Sequence, residues 1–173
     1  MLIIILLLFA WVIYEIFKPK STEFDHLKKN NGVDPINKIC SKYHGGFRDV
    51  SAKYTPDIDF YIFEDKVRVI IHVYKKLIKH IDFKPDEILN VKYMNERELT
   101  ESISLGRVVV FGWLGLAMKK KKEISREYVV LKCKYEKEEI DVVLGDDYSN
   151  YNQKCFETLN NYITEYKSKS VEV

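Results

Sequence analysis

The chain has 173 residues, with 28 Lys and Arg against 26 Asp and Glu, which suits one folded domain with an appendage rather than two domains. Its 46% hydrophobic content, with 12 Tyr and 9 Phe against 7 Gly and 4 Pro, excludes disordered and fibrous classes, because enough apolar surface is present to offset chain entropy. A formal charge of +2 is too small to mark a nucleic-acid binder, so none is expected as a partner.

Residues 1–17 (MLIIILLLFAWVIYEIF) contain one charge, Glu15. At 1.5 Å per residue the run is about 26 Å long, close to the roughly 30 Å of a hydrocarbon core. The anchoring surface is Leu2, Ile3, Ile4, Ile5, Leu6, Leu7, Leu8, Phe9, Trp11, Val12, Ile13 and Tyr14. A cleaved signal would need a positive residue before the run and a small-residue site after it, yet no Lys or Arg precedes Leu2 and Lys18-Pro19-Lys20 follows. A buried core helix would show a polar face, which the run lacks. The reading is one transmembrane helix. Lys18, Lys20, Lys28 and Lys29 all lie after it, so the positive-inside rule puts the C-terminal part on the cytoplasmic face of a cell membrane.

Residues 18–53 are polar, with Asn30-Asn31-Gly32 and Gly45-Gly46 as turn signals, and read as a juxtamembrane tether. Thr22 and Asp25 have N-cap character ahead of Phe24 and Leu27, but the segment is too short to predict a stable helix.

From Ile58 the period becomes two. Ile58, Phe60 and Ile62 predict a strand, Glu64-Asp65 a turn, and Val67, Val69, Ile71 and Val73 a second strand. Residues 77–83 and 88–94 are further candidates, separated by Lys84-Pro85-Asp86. Residues 101–113 hold the β-branched run Val108-Val109-Val110 and read as a fifth strand. Residues 128–135 and 140–144 complete seven. Phe156, Leu159, Ile163 and Tyr166 then recur at helical intervals, which predicts one amphipathic helix over 150–167, with a loose tail over 168–173.

Seven antiparallel strands closed by a C-terminal helix is the element order of a pleckstrin-homology-like (PH-like) barrel or sandwich. The stretch over 102–118, SISLGRVVVFGWLGLAM, followed by Lys119, Lys120, Lys121 and Lys122 and then Glu127-Tyr128-Val129-Val130-Leu131, resembles small bacterial PH-like domain proteins. Residues 58–65 resemble their opening hairpin. The resemblance covers roughly Tyr54 to Tyr166, giving a domain over 54–167, and implies a mainly β fold without enzymatic activity that engages a protein partner or a membrane.

Gly106, Gly112 and Gly115 suit the corners of a small barrel. The apolar loop over 114–118 abutting four lysines is suited to anionic headgroups, at about 1 kcal/mol per basic residue near the surface. A second basic cluster, Lys75, Lys76, Lys79 and His80, follows the first hairpin. Together the two clusters would make a headgroup site; separately each also reads as a solvated turn.

Motifs for catalysis are missing from the sequence: no G-x-S-x-G, P-loop, H-E-x-x-H or EF-hand spacing occurs. No cofactor or metal is expected. Cys40, Cys133 and Cys155, odd in number and without CxxC spacing, read as small buried hydrophobes, and a Cys133–His72 nucleophile pair remains an alternative on spacing alone. Asp57 with Asp59, and Asp146 with Asp147, read as turn residues at strand ends. The competing class is an enzyme or small-ligand carrier using the barrel interior, against which Phe60, Tyr93, Phe111 and Tyr135 argue by filling it.

Overall fold

The computed structural model describes residues 24–52, 54–102 and 126–171, together with Phe9. Seven strands are found among them: β1 (Asn37–Gly45), β2 (Asp57–Ile62), β3 (Val67–Val73), β4 (Lys76–Phe83), β5 (Ile88–Asn95), β6 (Glu127–Tyr135) and β7 (Glu138–Leu144). A short helix α1 (Glu96–Ser102) follows β5, and a long helix α2 (Ser149–Val171) ends the described chain. Every pairing is antiparallel, in the order β4-β3-β2-β1-β7-β6-β5. This architecture is compatible with a PH-like fold.

β1 organises the sheet. Its first part, Asn37 to Lys42, pairs with β2, and its last part, Tyr43 and Gly45, pairs with β7 across a register shift. One strand thus belongs to two half-sheets and turns the corner between them. The turn brings backbones close: a Cβ on Gly46, at φ +134°, would lie 2.7 Å from the Asp141 carbonyl oxygen, so only glycine fits there. Tyr43, fully buried, fixes the loop beyond, its hydroxyl accepting from the Phe47 N–H (2.8 Å) and donating to the Phe47 carbonyl (3.3 Å).

The pleat sorts the side chains. Ile39, Tyr43, Ile58, Phe60, Ile62, Val67, Val69, Ile71, Ile81 and Phe83 face inward from one half, and Ile88, Val91, Val129, Leu131, Cys133, Val142 and Leu144 from the other. Cys155, Leu159 and Ile163 of α2 enter the same core at helical spacing. Asn152, 1% exposed, sets the helix register: it donates from Nδ2 to the carbonyls of Glu127 and Asp146 (both 2.9 Å) and accepts from the Asp146 N–H (2.7 Å).

Several expectations are corrected. The sheet is not closed into a barrel: β4 and β5 have no ladder between them among the described residues, because the 3-10 turn Pro85–Glu87 carries the chain into the other half-sheet and α2, not hydrogen bonding, covers the interior. The segment read as a tether contains the central strand β1. Residues 101 and 102, expected in a strand, end α1, which a reciprocal cap starts: Asn95 Oδ1 accepts from the Glu98 N–H (2.9 Å) and Glu98 Oε2 from the Asn95 N–H (3.0 Å). The rest of that expected strand, residues 103–113, lies outside the described residues. The tail read as loose is helical through Val171. The expected span over 1–17 lies outside the described residues except for Phe9, and among those described no helix is long and apolar enough to cross a membrane.

Three outcomes follow. A chain beginning at residue 24 should fold cooperatively, whereas one beginning at residue 54 should show no urea transition, since it lacks β1. Leu159→Ala should cost about 2–5 kcal/mol, read from the same transition. The third concerns pH. Burial holds the His44 imidazole below its ordinary value, the Nε2 hydrogen bond to the Gly145 carbonyl (2.9 Å) opposing this only in part. As pH falls the unfolded chain takes up this proton first, so the associated stability is present above about pH 6.5 and lost as pH drops through the folded-state value. The urea midpoint should decline from pH 7 to pH 5, and less so in His44→Gln.

Candidate functional site

Of the lysines expected to meet headgroups, Lys119, Lys120, Lys121 and Lys122 lie outside the described residues, as do Gly106, Phe111, Gly112 and Gly115. Lys75 and Lys76 sit at the β3–β4 hairpin, both exposed. The two-residue turn is Tyr74-Lys75, at φ 49° and 68°, with Val73 paired to Lys76 across it. Lys79 has a different role. Its Nζ bonds Asp49 (2.5 Å) and lies over the rings of Tyr135 (5.0 Å) and Phe47 (5.7 Å), so it closes the end of the sandwich. Burial lowers its pKa, but the Asp49 and Tyr135 hydrogen bonds outweigh that and hold it above the usual lysine value.

The outer face of β1, β2 and β3 carries a charged cluster instead. Asp59, 6% exposed, faces Lys38 Nζ (3.3 Å) and His72 Nε2 (3.6 Å), and accepts from the Tyr61 hydroxyl (3.1 Å). Burial pushes its carboxyl upward, but hydrogen bonds from His72 and Cys40 and the charge of Lys38 more than offset this and hold it well below the usual range. Asp57 pairs with Lys42 on the same face. Both acids therefore sit within β2, joining strands, rather than in turns.

The cysteines separate by face. Cys133 and Cys155 are buried in the core, and burial pushes each thiol up to about 12. His72 is on the outer face and Cys133 in the interior, so the two form no nucleophilic pair. Cys40 is exposed rather than buried, yet desolvation of its sulfur, followed by the hydrogen bond and charge of Asp59, pushes the thiol up to about 11. No group of three or more His, Cys, Asp or Glu among the described residues can hold a metal ion.

A feature the sequence reading missed covers this face. Phe24 and Leu27, in and beside the 3-10 turn Asp25–Lys28, pack with Tyr61, Phe63 and Ile70 into a second small core. Arg68 pins them, donating from Nη1 to the Leu27 (2.9 Å) and Lys29 (3.0 Å) carbonyls while its Nε and Nη2 hold Asp82 (2.6 and 2.8 Å). The available signal was the apolar pair Phe24 and Leu27 behind Thr22 and Asp25.

A groove of about 610 Å³ runs between β5, α1 and α2, lined by Val91, Tyr93, Met94, Glu98 and Phe156 among others. The half-sheet edges beside it and at β4 keep unladdered backbone groups among the described residues. No family model and no curated protein matches the chain.

The cluster generates a chemical outcome. A thiol pushed up to about 11 holds little thiolate near neutrality, so Cys40 should alkylate with iodoacetamide at pH 7.5 about tenfold or more slower than a free cysteine. Asp59→Asn, which removes the neighbouring negative charge, should accelerate it, as followed by mass spectrometry.

Proposed function

We propose that this chain is a membrane-anchored, non-enzymatic binding module of PH-like type, held as a single-pass protein with its folded domain on the cytoplasmic side. The observation that carries the reading is the pairing of an apolar leader, residues 1–17, with a domain whose interior is filled by its own side chains. Phe60 and Phe83 are fully buried in that interior, and Tyr93 and Tyr135 pack against it, which leaves the rim and the edges for recognition. An anchor raises the effective concentration of such a rim toward anything else at the same bilayer, so weak contacts suffice.

Two kinds of contact suit the surface. The exposed Lys75 and Lys76, with Lys119 to Lys122 in the sequence, favour anionic headgroups. The edges at β4 and β5, unladdered among the described residues, favour a protein segment added as a further strand. The second reading, a small-ligand or enzymatic domain, would draw on the groove between β5 and α2, where Glu98 and Glu101 are the acidic groups.

Membrane fractionation tests the reading. The full chain should stay in the pellet after an alkaline carbonate wash and enter solution only with detergent; extraction without detergent would refute anchoring. The chain from residue 24 should pellet with phosphatidylglycerol vesicles in a salt-sensitive way. Lys75→Gln with Lys76→Gln should weaken that binding about 30-fold, given about 1 kcal/mol per basic residue near the surface. No pelleting at any salt would leave a protein partner as the ligand.

A further inference from the structure

Three contacts of different chemistry fix how the chain enters the domain. Phe24 packs against His72, near the β4 end of β3, with ring centroids 4.7 Å apart and the planes tilted by 31°. In the strand's first half, Arg68 holds the carbonyls of Leu27 and Lys29 at 2.9 and 3.0 Å. At the far end, Asn30 Nδ2 reaches Asp65, in the β2–β3 turn, at 3.4 Å. Residues 24 to 30 therefore run along the outer face of β3 in the direction opposite to the strand. Residue 24, and with it the attachment of everything upstream, lies at the β3–β4 end.

Seven peptide steps separate Phe24 from Phe17, the last residue of the apolar leader, a reach of roughly 25 Å at full extension. The β3–β4 tip lies only a few residues beyond His72, roughly 10 Å at strand rise. A leader in a bilayer thus joins the domain at this end and brings it nearest the headgroups.

The tip carries an aromatic and basic surface. Both turn residues are left-handed, a conformation that favours Asn and Gly, yet the positions hold Tyr74 and Lys75. Tyr74 is 95% exposed. Among the described residues no acidic group pairs with Lys75 or Lys76. An amphipathic ring flanked by cations suits the headgroup layer, where the ring sits at the interface and the ammonium groups meet anionic lipid.

We propose that residues 24–30 act as a strap that orients the domain, so that the β3–β4 tip, with Tyr74, Lys75 and Lys76, rests in the headgroup layer of the bilayer holding residues 1–17. This rests on the membrane-anchored reading above. It replaces a long flexible tether with a short stalk and one preferred face.

The test uses the full chain with Cys40→Ser, reconstituted into vesicles of phosphatidylcholine and phosphatidylglycerol carrying a headgroup nitroxide. A fluorescent thiol probe is placed through Ile78→Cys, beside the tip but leaving Tyr74, Lys75 and Lys76 intact, or through Glu64→Cys at the opposite end of the sheet. Quenching at position 78 should exceed that at 64 by about threefold or more, as for an interfacial against an aqueous site. Phe24→Ser with Leu27→Ser, checked for an intact sheet by circular dichroism, should bring the two values together. Equal quenching in the unaltered strap, or a difference that survives its disruption, overturns the proposal while leaving anchoring in place. Loss of the chain from the vesicles on alkaline washing overturns the anchored reading, and the proposal with it.

Discussion

The fold depends on β1 bonding to two neighbours that lie in different half-sheets. Its Asn37 to Lys42 stretch completes the β1–β4 half through β2, and Tyr43 and Gly45 complete the other through β7. Removing it would leave β2 and β7 as edges facing one another across an uncovered core. Gly46 and Gly145 are consequences of the same constraint. A Cβ on the first would strike the β7 backbone, and one on the second would lie 2.7 Å from the Tyr128 ring. α2 then seals what the unclosed ladder leaves open, and Asn152 fixes its register through polar bonds that apolar packing alone would not specify.

The outer face follows a different logic. Asp59 is buried and charged, which is tolerable only because Lys38, His72, Tyr61 and Cys40 surround it. That neutralisation allows the apolar side chains of Phe24 and Leu27 to lie against the same face beside it. Arg68 joins the two halves of the arrangement, with carbonyls of the incoming segment at one nitrogen and Asp82 of β4 at the others. Charges that look like a candidate reactive site in isolation serve as the seat for the chain's point of entry.

Much of this was legible in the residue pattern. The alternations in β2, β3, β6 and β7 and the helical spacing of Phe156, Leu159 and Ile163 are strong because each element sends a row of apolar side chains into the core. β1 was not legible. Its inward positions read Ile39, Ser41 and Tyr43, its outward ones Lys38, Cys40 and Lys42, and a buried serine breaks the apolar row. α1 was masked by its proximity to a β-branched run, although Asn95 and Glu98 stood at capping-box spacing. Of the candidate site, Lys75 and Lys76 could be picked out as a basic pair, but the commitment of Lys79 to Asp49 depends on a contact 30 residues away that no local pattern encodes.

The pairing of β1 with β7 also bears on synthesis. Tyr43 meets Leu144, and His44 meets Gly145 across 101 positions of sequence. During synthesis the central strand emerges long before its second neighbour, β7, exists to pair with it. On the proposed anchored reading, delivery to a membrane would thus begin on a polypeptide whose sheet is still half built, and closure of the sheet through β7 would follow at the bilayer.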